Sequence, residues 1–215
     1  MQITFVSANA QENLKKLLIS EPSTPQSIYL FASQDTIDYG AELAGKTRVL
    51  EEVALLSKKQ NAVASYLAIT STQGHLRRSV AVADNGRIVG VSDMTRSGEK
   101  EIAPGACLRV YDTSQGKLGV IVADDLYFPD IPQALADCGA EYLLCLTPRW
   151  SPIDSCIVRA YAKCFSLPVL YCAEDISLVS DEKGELAFSS PLSPVSFKIE
   201  RKIKYKLVQM RKRYQ

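Results

Sequence analysis

The sequence predicts a mixed α/β fold, with helices on the outer faces of mixed sheets. Three observations predict it. Apolar runs suited to strands alternate with stretches of helical period. Hairpin signals sit in the middle of the chain, where a purely parallel βαβ fold has none. The composition is ordinary, with 215 residues, 47% apolar and 23% charged, so the chain can bury roughly 70% of its unfolded surface without a metal or disulfide staple. Glycine and proline number 11 and 10, too few for a collagen-like or low-complexity chain. No repeat or low-complexity linker divides it, so a single domain over residues 1–215 is expected.

The elements follow in order. Ile3 to Ser7 (ITFVS) reads as a first strand. Asn9 is placed to cap a helix to about Ser20, with Leu14, Leu17 and Leu18 on one face. Two prolines between Glu21 and Gln26 end it. Ser27 to Ala32 (SIYLFA) is apolar enough for a strand buried on both faces. A long helix is expected over Thr36 to Lys59, then a strand from Val63 to Thr70. Ser79 to Ala83 and Arg87 to Ser92 flank Asp84-Asn85-Gly86, a hairpin turn because Asn-Gly accepts positive φ. Leu108 to Tyr111 and Leu118 to Val122 form a second hairpin through Thr113 to Lys117. Helices near Pro132 to Cys138 and Asp154 to Phe165 precede strands at Tyr142 to Leu146 and Val169 to Cys172, respectively preceding and following the latter helix. A last hairpin turns at Glu182-Lys183-Gly184.

The net charge of +1 hides an asymmetry: Lys198 to Gln215 holds eight basic residues and one acid, Glu200. Within it, Ile199, Ile203, Leu207, Met210 and Tyr214 make the stripe of an amphipathic helix over about 198–214. The expectation is that this helix packs its stripe against the body or a second subunit, its basic face solvated. Binding of nucleic acid or another anionic partner through it is the alternative. No RNA-binding aromatic motif accompanies it.

Six cysteines lie at 107, 138, 145, 156, 164 and 172, with no C-x-x-C, and His75 is the single histidine. Zinc needs closely spaced Cys or His ligands, so no metal site is expected. The cysteines are read as reduced, small apolar residues of a cytoplasmic protein. His75, after Gln73-Gly74, is expected to be an exposed turn residue. No apolar run approaches 18 residues and no signal peptide is visible, so no membrane association is expected.

Several short motifs, in order, resemble the nitrilase or carbon-nitrogen hydrolase superfamily. They are Glu12-Asn13-Leu14, the hairpin Asn85 to Gly90, Ala103-Pro104-Gly105, the strand Gly116 to Val122 (GKLGVIV), Asp125 to Asp130 (DLYFPD), Gly139 to Leu144 and Trp150. The resemblance covers nearly the whole chain. It implies a four-layer α-β-β-α sandwich, dimerised through helices. It also implies a catalytic cysteine that attacks an amide or nitrile carbon, a glutamate general base and a lysine stabilising the tetrahedral intermediate. The family's cysteine falls on Ala123, its glutamate on Ser33 and its lysine on Met94. None of those side chains can do the chemistry. The stretch from Cys172 to Leu178 also leaves no room for the family's long loop.

The reading is therefore a pseudoenzyme: a homodimeric scaffold or a binder of a small molecule, needing no cofactor. Its candidate pocket is Ser33, Asp35, Met94, Arg96, Ala123 and Asp124, either open or filled by side chains. The alternative is an amidohydrolase with unorthodox catalytic residues, using Asp35 or Ser33.

Overall fold

A computed structural model describes residues 1–22 and 27–200. The chain runs β1 (Gln2–Val6), α1 (Ala10–Ile19), β2 (Ser27–Phe31), β3 (Thr36–Asp38), α2 (Tyr39–Leu43), α3 (Val49–Lys59), β4 (Ala62–Thr72), β5 (His75–Asp84) and β6 (Arg87–Asp93). It continues with β7 (Val110–Thr113), β8 (Gly116–Val122), a 3-10 turn (Ala123–Tyr127), α4 (Asp130–Asp137), β9 (Tyr142–Thr147) and α5 (Pro152–Phe165). The last strands are β10 (Val169–Ala173), β11 (Ile176–Ser180), β12 (Leu186–Ser190) and β13 (Val195–Lys198).

These strands form two mixed sheets. One has the order β13-β1-β2-β4-β5-β6, with the short β3 also on β4; the other has the order β12-β11-β10-β9-β8-β7. β1, β2 and β4 are parallel, as are β8, β9 and β10. The sheets pack face to face because their strands are apolar on both sides. Alternation sorts the side chains: Leu30, Val120 and Val122 point between the sheets, while Phe31 and Ile121 point outward. The inter-sheet core holds Ile3, Phe5, Leu67, Val80 and Met94 together with Leu118, Leu146, Leu170 and Cys172. Outside the first sheet, Leu14 of α1 and Val53 and Leu56 of α3 cover Tyr29, Phe31 and Tyr66. Outside the second, Leu135 of α4 and Val158 and Ala162 of α5 cover Leu143, Cys145 and Tyr171. The result is the expected α-β-β-α layering.

Some expectations need correction. The single helix expected over Thr36 to Lys59 is three elements. Asp38 caps α2 by accepting from the Ala41 N–H at 2.8 Å, and Gly45 at φ +68 turns the chain out of it. Glu42 then caps α3, taking the N–H groups of Val49 and Leu50 at 2.9 and 3.2 Å. Asn9 stands at the start of α1 in a left-handed conformation and makes no side-chain cap. Asn13 reaches back instead, donating Nδ2 to the Ala8 carbonyl at 2.8 Å. Gln73-Gly74 is a hairpin turn joining β4 to β5, with φ of +50 and +82, and His75 is the exposed first residue of β5. Lys198 ends a strand, β13, paired with β1, and Ile199 and Glu200 follow it without helix; the rest of the basic helix expected over 198–214 lies outside the described residues. Cys107, Cys138, Cys156 and Cys164 are exposed, so only Cys145 and Cys172 are core residues.

Candidate functional site

The carboxyl ends of the parallel strands of both sheets meet at one edge of the sandwich. Three links across the sheets show it. The Asp175 N–H, just past β10, bonds the Ser7 carbonyl past β1 at 3.2 Å. The side chain of Gln34, past β2, donates to the carboxylate of Glu174. Asp125, past β8, accepts from the segment after β6. Ser33, Met94 and Ala123 follow the ends of β2, β6 and β8, so all three belong to this edge.

Ala123 is the first residue after β8 and has φ +49. A side chain with a Cβ costs about 1–2 kcal/mol in that left-handed region, so the sharp turn is held by its surroundings. Asp125 supplies part of that hold. Its carboxylate is 1% exposed and accepts from the Thr95 N–H at 2.9 Å, Thr95 Oγ1 at 3.0 Å and the Arg96 N–H at 3.1 Å. Burial pushes the Asp125 carboxyl up from the ordinary range, while these donors pull it back in part.

Met94 is fully buried and Ala123 3% exposed, and both belong to the inter-sheet core with Ala32, Leu146 and Cys172. The Met94 backbone is fixed on both sides, its N–H on the Arg78 carbonyl at 2.8 Å and its carbonyl on the Gly105 N–H at 2.7 Å. Both side chains are closed off from solvent.

Ser33 stands apart from this pair. Its hydroxyl donates to Asp35 Oδ2 at 2.6 Å and accepts from the Asp35 N–H at 2.9 Å. The Tyr66 hydroxyl also donates to Asp35 Oδ2 at 2.8 Å, and the Tyr66 ring belongs to the outer cluster under α1 and α3. Burial raises the Tyr66 phenol, so it stays a hydrogen-bond donor. A polar cavity of about 370 Å³ opens beside Ser33, lined also by Asn9, Glu12, Gln34, Asp35 and Glu174. The candidate pocket residues are thus divided: Met94 and Ala123 are core, and Ser33 and Asp35 face an open cleft.

Arg96 does not reach either place. It grips Asp130 at the start of α4, Nη1 to Oδ1 at 3.1 Å and Nη2 to Oδ2 at 2.5 Å, with its guanidinium 4.5 Å from the Phe128 ring centre. Asp124 is half-buried in the 3-10 turn. Sequence reasoning overlooked Tyr66, Asp125 and Cys172. Cys172 and Val122 both align with Leu146, which puts the thiol about 10 Å along the sheet from the strand end at Ala123. That proximity depends on strand order, so no local signal carried it. The Cys172 thiol lies 3.7 Å from the Leu30 carbonyl oxygen, and burial pushes it up to about 12. Among the described residues no group of His, Cys, Asp and Glu is placed to hold a metal ion, and no helix is long and apolar enough to cross a membrane.

Glu174 and Asp175 alone connect β10 to β11. This tight turn bounds the cleft where a longer loop would add a wall.

The family model for carbon-nitrogen hydrolases matches residues 8–181. No curated protein matches the sequence. Solved structures do match in fold. Nit3 of Saccharomyces cerevisiae, a member of branch 10 of the nitrilase superfamily, superposes with a TM-score of 0.73 at 14% identity over 91% of this chain and 88% of that one. A cysteine-to-alanine mutant of the amidase of Nesterenkonia AN1 gives 0.69 at 15% identity over 91% and 88%. A carbon-nitrogen hydrolase of Helicobacter pylori gives 0.67 at 17% identity over 91% and 86%.

Proposed function

Taking as premise that this chain belongs to the carbon-nitrogen hydrolase family, we propose that it is a catalytically inactive member, a pseudoenzyme that serves as a homodimeric scaffold. The observation that carries this is the pair Met94 and Ala123, two apolar side chains closed into the inter-sheet core at the strand ends. Hydrolysis of a carbon-nitrogen bond through a covalent intermediate needs a thiolate, a proton carrier and a cation at the oxyanion. In a glutamate-to-glutamine mutant of the Nesterenkonia amidase the acetamide moiety of fluoroacetamide adds covalently at the active site cysteine. At Ala123 a methyl group takes the place we assign to that cysteine. Cys172 is no substitute: its burial strongly disfavours the thiolate that would attack. Arg96 is committed to Asp130.

Dimerisation is supported by an exposed apolar patch at the amino end of α5. Tyr127, Trp150 and Ile153 are 44%, 43% and 53% exposed, and Tyr127 is tied to α5 through Asp154 at 2.9 Å. The wide spacing of the cysteines supports a reducing, cytoplasmic setting.

Ammonia release from primary amides and nitriles tests the inactivity. The protein as isolated is expected to release none above buffer, and turnover that Ser33→Ala leaves intact refutes the reading outright. Turnover abolished by Ser33→Ala would favour a second reading, an amidohydrolase built on Ser33 and Asp35. Their 2.6 Å hydrogen bond at the mouth of the open cleft is the observation behind it. Sedimentation at micromolar concentration tests the dimer, and a monomer there refutes it.

A further inference from the structure

Arg78 of β5 is a charged side chain folded into the sandwich. It shares the parity of Val80 and Val82, which belong to the inter-sheet core. It aligns with Ile69 of β4, which packs against that core. Arg78 therefore lies at the same edge as the carboxyl end of β4, and its carbonyl accepts from the Met94 N–H. The residue is 6% exposed. Its Nη2 donates to both carboxylate oxygens of Glu99, at 2.9 and 3.2 Å. Its Nε is buried and has no acceptor among the described residues. A buried cationic donor without an acceptor is costly. The neighbouring carboxylates are committed elsewhere. Asp93 accepts from Ser79 Oγ at 2.7 Å and pairs with Arg77 at 3.5 Å, and Asp125 holds Thr95 and Arg96.

A guanidinium binds a carboxylate best through two parallel N–H groups. Glu99 takes only Nη2 and leaves Nε aside. Its side chain is 51% exposed, so solvent borders the ion pair. Its backbone is fixed without the carboxylate: the Glu99 N–H bonds Ser97 Oγ at 3.1 Å, and the Glu99 carbonyl accepts from Ser97 Oγ at 3.1 Å and the Ile102 N–H at 3.3 Å. We infer that Arg78 is the receptor for the carboxylate of a small ligand, and that Glu99 is its built-in occupant. The incoming carboxylate turns the Glu99 side chain out into water and takes Nε–H and Nη2–H together. A carboxylate is favoured over a phosphate because it replaces one, oxygen for oxygen, with no further oxygens to bury. The inference stands whether or not the chain hydrolyses a carbon-nitrogen bond.

NMR of the nitrogen-labelled full chain tests this through the Arg78 Nε–H signal, assigned by its loss in Arg78→Lys. Acetate is the probe, titrated at constant ionic strength against sodium chloride. In Glu99→Ala the signal should shift saturably, with a midpoint at least about tenfold lower in acetate than in the unaltered chain. A tethered carboxylate that holds the site about nine-tenths of the time weakens a rival by that factor. Arg78→Lys added to Glu99→Ala keeps the cation but not the fork, and should abolish acetate binding read by calorimetry. An unmoved Nε–H signal overturns the proposal, and so do equal midpoints in the two chains. Calorimetric binding that survives Arg78→Lys overturns it, as does an equal shift with chloride alone, since charge by itself then suffices. A tighter response to inorganic phosphate than to acetate overturns the assignment to a carboxylate. Ammonia release reads the inactivity separately from all of these.

Discussion

Met94→Ala tests the closed core directly. The side chain is fully buried between the sheets, and its backbone is pinned by hydrogen bonds of 2.8 and 2.7 Å to Arg78 and Gly105. The surroundings are therefore poorly able to collapse into the space left behind. Truncation removes about 75 Å³, and at about 24 cal/mol per Å³ the cavity costs roughly 1.8 kcal/mol. Lost transfer of the thioether arm adds about 1.5 kcal/mol. The sum is about 3 kcal/mol, inside the usual range for such truncations. Urea unfolding followed by circular dichroism is the assay. With a slope of about 2 kcal/mol per molar for a chain of this size, the midpoint should fall by about 1.5 M with the slope unchanged. A fall below about 0.5 M would show that the side chain does not fill the site. The case for a closed position, and the inactivity argued from it, would then fail together.

Asp125→Asn should cost about 2 kcal/mol, because an amide turned toward the Thr95 and Arg96 donors leaves a buried group unpaired; urea unfolding at neutral pH checks it. The pH dependence has a definite sign. The folded carboxyl titrates above its ordinary 3.8, so its contribution is full below that value and is lost as pH rises through the raised one. The stability of the native chain relative to the Asn variant should fall over that window, and a rise would contradict the assignment. A thiol titration should find four cysteines reacting rapidly in the folded protein, namely Cys107, Cys138, Cys156 and Cys164; Cys145 and Cys172 should react only on unfolding, since burial raises both. Gly90→Ala would set its Cβ 2.5 Å from Tyr111 Cε1, and the Tyr111 hydroxyl is held at 2.9 Å by Ser92. About 2 kcal/mol of destabilisation should appear as a lower melting temperature.

How far the fold could be read in advance depended on the range of the signals. Asn85-Gly86 marked its hairpin because Asn-Gly accepts positive φ, and the observed angles are +51 and +81. Gln73-Gly74 makes the same kind of turn, at φ +50 and +82, with a weaker local signal. Thr36 to Lys59 looked like one helix because the apolar period continues across it. Capping by Asp38 and Glu42 and the turn at Gly45 divide it. The order β10-β9-β8 within one sheet likewise sets Cys172, far from Ala123 in sequence, two strands away from it, about 10 Å.

The residues at Ser33, Met94 and Ala123 can be read from the sequence alone, and so can the absence of a thiol, an acid and an amine among them. So can the alternation that puts Val120 and Val122 on one face of their strand and Ile121 on the other, because that period is a local property of the backbone. Which face meets the second sheet, and what each polar group then bonds, is not local. Only the tertiary structure sends Met94 into the core, turns Ser33 toward Asp35 and Tyr66, and spends Arg96 on Asp130. Apart from the Ser33–Asp35 bond, which spans only two residues, each of those outcomes is a contact between segments distant in the chain, selected by the burial and pairing of every group at that edge together.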